Sequence, residues 1–354
     1  GPEEVALHGV VEEAPPVPDA PLAFERALLW VAPPQFLWAR VGGIPLLERQ
    51  LFTAARAGLK SVRIATHEPE PATLAGLRVP PGLEIFWVSR GAAATVECEA
   101  PYLGISGDHL LRVDTLAFVA RQRYPASISY EDDSRLSVIQ IVLKREDAMS
   151  RDKQPLPAAS YKRLEWPLEQ ASITDWIMAA GPKPQDGFMA RHFDRHLSMA
   201  ASRALLDSRI TPNQMTVLST MLGILGSAFF LGASRWHYVT GALIVWLHSI
   251  LDGCDGELAR VRFQESPFGS DLDFWGDNIV HLALFSCIGT GFWINGNGPN
   301  TLALSALADV GVLASAWTAW RHRLSRRRAG GHRPEAGVTD ETRGDGIDSK
   351  LARL

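Results

Sequence analysis

The sequence has few cysteines, since Cys98, Cys254 and Cys287 are its only three in 354 residues. Their odd number and irregular spacing fit neither a disulfide framework nor a zinc site, which predicts a reducing compartment or a membrane interior. The chain also lacks a large excess of either charge, because its formal net charge is −4, which by itself says nothing about nucleic acid. No stretch resembles a nucleic-acid-binding module, so we expect no nucleic-acid partner.

A basic and then apolar leader is missing as well. Residues 1–21 are acidic and rich in proline, which is unlike a secretory signal and predicts a flexible segment. The Gly-Pro start, without methionine, suggests a fragment of a longer protein. Residues 325–354 are polar and are expected to form a tail or a loop. The length between these ends is typical of two domains.

The first half of the chain alternates predicted strands with predicted helices. An apolar, β-branched run indicates a strand, whereas apolar residues three and four apart indicate a helix. Such alternation predicts an α/β domain whose sheet is mostly parallel and covered on both faces. The predicted strands are Arg26–Ala32, Ser61–Thr66, Leu83–Ser89, Leu103–Ser106 and Leu136–Arg145, and the predicted helices are Pro45–Ala57 and Val113–Tyr124.

Three further segments connect this half to the apolar half. We expect a loop over Met149–Ser160, a helix over Tyr161–Ala180 and a basic amphipathic helix over Met189–Leu206. The last pattern is typical of a helix that lies on an anionic membrane surface. Its residues Arg191 and Arg195 are candidates for binding a phosphate group.

The second half is dominated by four apolar stretches, which predict an all-α, polytopic membrane domain. The basic residues cluster on one side of these four spans, and the positive-inside rule assigns that side to the cytoplasm of an inner or plasma membrane. The stretches are Met215–Ala233, Tyr238–Leu251, Phe274–Ile294 and Leu302–Trp320. The predicted divisions are a leader (1–21), a cytosolic α/β domain (22–182), a juxtamembrane helix (183–209), a membrane domain (210–324) and a tail (325–354).

Carboxylates lie at helical spacing around the connection between the second and third stretches. Asp252 and Asp255 are three apart, and Gly269, Asp273 and Asp277 follow at intervals of four, so each set shares one helix face. Carboxylates at the ends of apolar helices repel one another unless cations lie between them. Oxygen ligands favour hard ions, so we expect two Mg²⁺ or Mn²⁺ ions. His248 and His281, each four residues from this set, are weaker candidates for supporting it.

These residues resemble the signature of the CDP-alcohol phosphotransferase family, DxxDGxxAR followed by GxxxDxxxD. The resemblance implies a membrane enzyme with six spans that transfers a substituted phosphate from a CDP-alcohol to an acceptor hydroxyl and releases CMP. We also expect a homodimer and contact with the lipid bilayer. By resemblance, the metal ligands are Asp252, Asp255, Asp273 and Asp277, and Asp277 is also the catalytic base. The implied CDP-binding residues are Asp252, Gly256, Ala259, Arg260 and Gly269.

The first half resembles the sugar-phosphate nucleotidyltransferases at Gly42–Thr66 and at the turn that contains Asp108. However, that family has a Gly-rich loop after its first strand, whereas this chain has APPQFLWARVGG, with two prolines and bulky side chains. Such a loop cannot offer a row of backbone N–H groups to a triphosphate. Ile44 also stands where that family has a lysine. We therefore predict a degenerate domain, in which Asp108 is either a relic of a metal site or merely a turn residue. The fusion resembles enzymes that pair an inositol-1-phosphate cytidylyltransferase with a di-myo-inositol phosphate phosphate synthase.

Three functions remain open at this point. The first is a transferase that joins CDP-inositol to inositol phosphate. The second is a phosphatidyltransferase that uses CDP-diacylglycerol and a polar alcohol. The third is an inactive membrane scaffold with a nucleotide-binding head.

Overall fold

A computed structural model describes residues 24–31, 35–67, 77–89, 100–144, 152–179 and 195–329. It divides the chain into two compact units, with a border between Ile173 and Thr174. The predicted leader, Cys98 and the tail from residue 330 onward lie outside the described residues. The predicted divisions of the chain remain predictions.

The first unit is built on a seven-stranded sheet, as the alternating pattern predicts. Its order is β10-β8-β9-β6-β1-β4-β5, and β9 is antiparallel to both of its neighbours while the other pairs are parallel. The mostly parallel sheet is thereby confirmed. The strands are β1 (Arg26–Val31), β4 (Ser61–Thr66), β5 (Glu84–Ser89), β6 (Tyr102–Ser106), β8 (Ile128–Glu131), β9 (Ser137–Val142) and β10 (Asp152–Pro155).

Short elements surround this sheet. Two antiparallel pairs are formed by β2 (Arg40–Val41) with β3 (Ile44–Pro45), and by β7 (His109–Leu111) with β11 (Tyr161–Arg163). The helices are α1 (Gln35–Trp38), α2 (Leu46–Arg56) and α3 (Val113–Arg121), followed at the border of the two units by α4 (Gln170–Met178). α2 and α3 pack against each other and bury their apolar faces. The predicted helices Pro45–Ala57 and Val113–Tyr124 are therefore confirmed.

Two predictions between the two halves are wrong. The predicted helix over Tyr161–Ala180 begins with strand β11, because residues 161–163 pair with β7, and only α4 is helical. The predicted loop over Met149–Ser160 contains β10, which pairs with β8, and a short 3₁₀ helix. β8 itself was not predicted.

The second unit consists of helices whose starts are fixed by side-chain caps. Thr211 and Gln214 form a reciprocal capping box at α6, while Ser234 and Ser266 cap α7 and α8 by accepting backbone N–H bonds. The helices are α5 (Arg195–Leu205), α6 (Pro212–Phe229), α7 (Arg235–Val261), α8 (Pro267–Phe292) and α9 (Asn300–Ala329). α5 occupies the second half of the predicted amphipathic helix Met189–Leu206.

α6 lies between α7 and α8 and packs closely on both. An ideal Cβ on Gly226 would come within 2.9 Å of the Ile244 side chain on α7. One on Gly223 would come within 2.7 Å of Val280 on α8. Only residues without a side chain allow helices to approach so closely. Residues 216–226 of α6 therefore run antiparallel to α7 and parallel to α8.

Two helices of the second unit are long and apolar enough to cross a membrane. They correspond to Pro267–Asn297 and Asn300–Arg328, that is, to α8 with its short π-helical extension and to α9. Within the described residues, α6 and α7 do not meet the same test of length and composition.

Candidate metal centre

The four motif carboxylates converge where α6, α7 and α8 meet. One oxygen from each of Asp252, Asp255 and Asp273 lies within 4.8 Å of the other two. Ligand atoms of His248, Asp252 and Asp277 form a second group with the same limit. Asp252 belongs to both groups, so the structure contains two adjoining sets of ligands that share one carboxylate.

The helical spacing of the sequence explains this convergence. Asp252 and Asp255 lie on the α7 face toward α6, and Asp273 and Asp277 occupy successive turns of α8. Gly276, between the latter two, stands against α6, because its ideal Cβ would lie 2.6 Å from the Thr220 hydroxyl. The small residue allows α8 to bring both of its carboxylates to the centre.

α6 contributes hydroxyl groups that the sequence analysis did not identify. The buried Thr216 donates its hydroxyl to Asp255, and Ser219 donates to Asp252 at 3.5 Å. The backbone carbonyl of Ser219 also lies 2.8 Å from Nδ1 of His248. Asp255 and His248 are only 7% and 6% exposed. Buried charges need such partners, so α6 forms the polar wall of the site.

The predicted CDP-binding residues lie on the same segments of α7 and α8. Arg260 is exposed, and its guanidinium nitrogen lies 3.2 Å from the place where a Gly256 side chain would begin. Ala259 is adjacent and half-buried. Gly269 lies in the first turn of α8, where an ideal Cβ would be 2.9 Å from Oδ1 of Asn213. Among these predicted residues, Arg260 supplies the positive charge, one turn after Gly256 on α7.

Arg262 was not predicted to be important, yet it is buried at the end of α7. Its guanidinium donates to four backbone carbonyls at the end of α5 and in the connection between α5 and α6, where the regular helical bonds stop. The acceptors are the carbonyl oxygens of Leu205 (2.6 Å), Leu206 (2.7 Å), Ser208 (3.0 Å) and Ile210 (2.6 Å).

The structure gives no side-chain position for either of the two arginines predicted to bind a phosphate group. Arg191 lies outside the described residues, and Arg195 is the first residue of α5, of whose side chain nothing is described. His281 is exposed, and its Nδ1 lies 2.7 Å from the Asp277 carbonyl oxygen. Neither arginine is thereby assigned to the site, and their proposed role remains a prediction.

In the first unit, Asp108 occupies the turn between β6 and β7 and is hydrogen-bonded to its neighbours. It accepts from the Ser106 hydroxyl, and Nδ1 of His109 lies at 2.7 Å, while Nε2 of His109 lies 3.3 Å from Asp132. Burial opposes ionisation of Asp108, but the bonds from His109 and Ser106 outweigh it and keep its pKa below the usual value. The Asp108 carboxylate is thus hydrogen-bonded to Ser106 and His109 within the same unit.

The segment after β1 also differs from a phosphate-binding loop. Gly42 and Gly43 have positive φ angles (58° and 81°) and form the turn of the β2–β3 hairpin. The buried Arg49 donates to the carbonyls of Val41 and Gly42 and fixes this turn, and burial lowers the pKa of Arg49 to about 9. Ile44 is buried beneath it.

Adjoining groups of carboxylates at a helix junction are an arrangement by which enzymes hold divalent cations for chemistry on phosphate esters. Residues 209–338 match the sequence model of the CDP-alcohol phosphatidyltransferase family.

The chain is similar to proteins named as bifunctional enzymes and to proteins named as phosphatidylinositol phosphate synthases. The chain is 32% identical over 179 residues to the bifunctional IPC transferase and DIPP synthase of Rubrobacter xylanophilus, covering 49% of this chain and 40% of that protein. It is 27% identical over 122 residues to the phosphatidylinositol phosphate synthase of Mycobacteroides abscessus, covering 34% and 54%. The crystal structure of the Mycobacterium tuberculosis phosphatidylinositol phosphate synthase aligns with a TM-score of 0.31 and 26% identity, covering 39% and 70%. The chain spans about half or less of the length of the bifunctional relatives it matches.

Proposed function

We propose that this chain catalyses the metal-dependent transfer of a substituted phosphate from a CDP-alcohol to an acceptor hydroxyl, with release of CMP. The observation that supports the proposal is the sharing of Asp252 by two groups of ligand atoms within the family's motif. Two adjoining cation positions suit displacement at phosphorus, because attacking and leaving oxygens both carry negative charge.

The donor set fits Mg²⁺ or Mn²⁺, because the carboxylates supply hard oxygen ligands and lie too close together to be stable without a counter-charge. Asp252, Asp255 and Asp273 would hold one ion, and Asp252 and Asp277 would contribute to a second. Bound cations neutralise the pyrophosphate and the charge that develops on the reacting oxygens.

The remaining residues bind the donor and move the proton. Asp277 accepts the proton of the acceptor hydroxyl, since it is the carboxylate farthest along α8 from the three-carboxylate group. Arg260 pairs with phosphate oxygens of the donor. Gly256 and Gly269 lack side chains that would obstruct the nucleotide.

We further propose that α6 to α9 lie in a lipid bilayer as four of the family's six spans. All four helices expose large apolar side chains, among them Met221 on α6, Trp236 on α7, Ile279 on α8 and Leu307 on α9. Contiguous apolar surfaces of this kind are unfavourable in water. By the positive-inside rule, the end of the helices that carries the carboxylates faces the cytoplasm.

The first unit is proposed to have lost cytidylyl transfer, because its glycine turn is occupied by Arg49 and Asp108 is bonded to Ser106 and His109. The donor would then be made elsewhere. CDP-inositol with inositol phosphate as acceptor is the preferred pair, since the bifunctional relatives share this two-part organisation. CDP-diacylglycerol with a polar alcohol is the second candidate, in view of the relatives that make phosphatidylinositol phosphate.

A donor panel tests the proposal. The full-length protein in detergent would be supplied with Mg²⁺ or Mn²⁺ and with CDP-inositol, CDP-diacylglycerol or CDP-glycerol, and CMP release would be measured. A water-soluble product supports the first pair and an organic-phase product the second. Asp277→Asn should reduce turnover about 10²- to 10⁴-fold. Asp271→Asn, which alters a carboxylate of the same helix that pairs with Arg327, is the matched control. No CMP release with any donor would favour the scaffold hypothesis.

A further inference from the structure

The second group of ligand atoms contains a histidine that the family motif does not include. His248 lies one turn before Asp252 on α7, and one of its ring nitrogens lies within 4.8 Å of carboxylate oxygens of both Asp252 and Asp277. The first group consists of carboxylates alone. The two groups therefore differ in chemistry, although they share Asp252.

The ring of His248 is held in one orientation. It packs against α6 at Gly223, where an ideal Cβ would lie 3.0 Å from Cγ of the imidazole. Nδ1 donates to the Ser219 carbonyl oxygen at 2.8 Å. A carbonyl can only accept, so this bond places the hydrogen on Nδ1 and leaves the lone pair on Nε2.

This arrangement is the one that metal-binding histidines adopt. Such residues donate one ring N–H to a backbone carbonyl or a carboxylate, which fixes the ring and leaves the other nitrogen for the metal. The residue is only 6% exposed, so the packing around the ring also restricts its orientation. Among the described residues, the Ser219 carbonyl is the only hydrogen-bond partner of the ring.

The distances suit a shared cation. Two ligand atoms of one octahedral ion lie about 3.0 Å apart when adjacent and about 4.2 Å apart when opposite, for bonds of about 2.1 Å. The ligand atoms of His248, Asp252 and Asp277 all lie within 4.8 Å of one another, which is close to this range. Ser219 supports the same arrangement twice, because its carbonyl binds His248 while its hydroxyl donates to Asp252.

We propose that His248 is a nitrogen ligand of the cation on the Asp277 side, so that the two cation positions are chemically unequal. This inference rests on the proposed function only in assuming that the carboxylates bind cations. The all-carboxylate position suits Mg²⁺ or Mn²⁺ equally, whereas imidazole favours transition-metal ions. The position on the Asp277 side therefore prefers Mn²⁺ to Mg²⁺.

The test is electron spin-echo envelope modulation spectroscopy of Mn²⁺ bound to the full-length protein in detergent. This method detects ¹⁴N that is directly bonded to the ion, and it needs no turnover. We expect a ¹⁴N coupling that is replaced by ¹⁵N features when the protein is made with ¹⁵N-labelled histidine. The labelled protein has the unaltered sequence, so this result can be obtained even if a substitution of His248 prevents folding.

Two variants identify the histidine. His248→Asn keeps a donor for the Ser219 carbonyl but lacks the atom that reaches the carboxylates, and it should abolish the ¹⁴N coupling and weaken Mn²⁺ binding at least about tenfold. His281→Asn is the matched control, because His281 is exposed and contacts the Asp277 backbone, and its coupling should persist. Bound Mn²⁺ without ¹⁴N coupling, or a coupling that survives in His248→Asn, would overturn the inference and leave the proposed function intact. Failure of Mn²⁺ to bind at all would overturn both.

Discussion

Removal of the Thr216 hydroxyl should weaken the cation site without altering its carboxylates. Thr216 is buried on α6, and its hydroxyl donates to Asp255, which is itself 7% exposed. Thr216→Val replaces the hydroxyl with a methyl group of similar size, so the packing between α6 and α7 is maintained. The change therefore removes the hydrogen bond to a buried carboxylate, together with the contact of the same hydroxyl to the Pro212 carbonyl oxygen of its own helix at 3.2 Å.

The magnitude follows from the charge of the acceptor. A hydrogen bond to an ionised group contributes about 1.5–3 kcal/mol, and each 1.4 kcal/mol corresponds to a tenfold change in an equilibrium constant. Loss of a residue that orients a metal ligand typically reduces affinity about 10- to 100-fold. We expect the dissociation constant of Mg²⁺ to rise by a factor in that range, as measured by calorimetric titration of the full chain in detergent.

Thr220→Val provides the matched control. Thr220 lies one turn later on the same helix, but its hydroxyl donates to the backbone carbonyl of Thr216 at 2.8 Å rather than to a carboxylate. Its variant should bind Mg²⁺ as the unaltered protein does. Equal affinities for Thr216→Val and Thr220→Val would refute the reasoning that hydroxyls of α6 prepare Asp255 for a cation.

Three other predictions concern stability, each measured by thermal unfolding of the full chain. Arg262→Met should destabilise the second unit by about 3 kcal/mol, because it removes a buried guanidinium that donates to four carbonyls, of which that of Leu206 is buried. Arg260→Met, which alters an exposed neighbour, should not, and equal losses would contradict the role of Arg262. Arg135→Gly should stabilise the first unit by about 1 kcal/mol, since Arg135 is exposed and has a φ of 62°, and any destabilisation would show that its side chain matters. Burial opposes ionisation of Asp132, but backbone N–H groups and His109 outweigh it and lower its pKa. The protein with Asp132 should therefore have a higher free energy of unfolding than Asp132→Asn, and this difference should be complete above the ordinary carboxyl pKa of about 4. The difference should decline as the pH falls through the lower pKa that Asp132 has in the folded protein. A difference that does not depend on pH would contradict this.

The sequence contains the carboxylate part of the site in full. The spacing of Asp252 and Asp255, and of Asp273 and Asp277, places each pair on one helix face, and the structure brings the two faces together. No spacing rule connects Thr216 with Asp255, because they lie on different helices 39 residues apart. The partners from α6 become visible only when the packing of the helices is known.

The same limit explains the strands that were missed. β10 reads DKQP, with no apolar alternation, and lies at the edge of the sheet, where it pairs only with β8. Edge strands are commonly charged and tolerate proline, so composition does not reveal them. β11 has three residues and exists through its pairing with β7, about 50 positions earlier in the chain.

The helices that build the site are also the ones that hydropathy describes least well. On α6 the polar and small residues are inside, as with Ser219 and Gly223, while Leu218 and Leu225 are exposed. α7 has the same inverted pattern, with Asp255 buried and Trp246, Leu243 and Trp236 exposed. The mean hydropathy of a helix averages over both faces. It is therefore lowered by the small and polar residues of the inner face, which allow close packing and would hold a cation. Because buried polar groups and exposed apolar ones occur on opposite sides of the same helix, the pattern favours a bilayer around α6 and α7 although neither meets the test of length and composition.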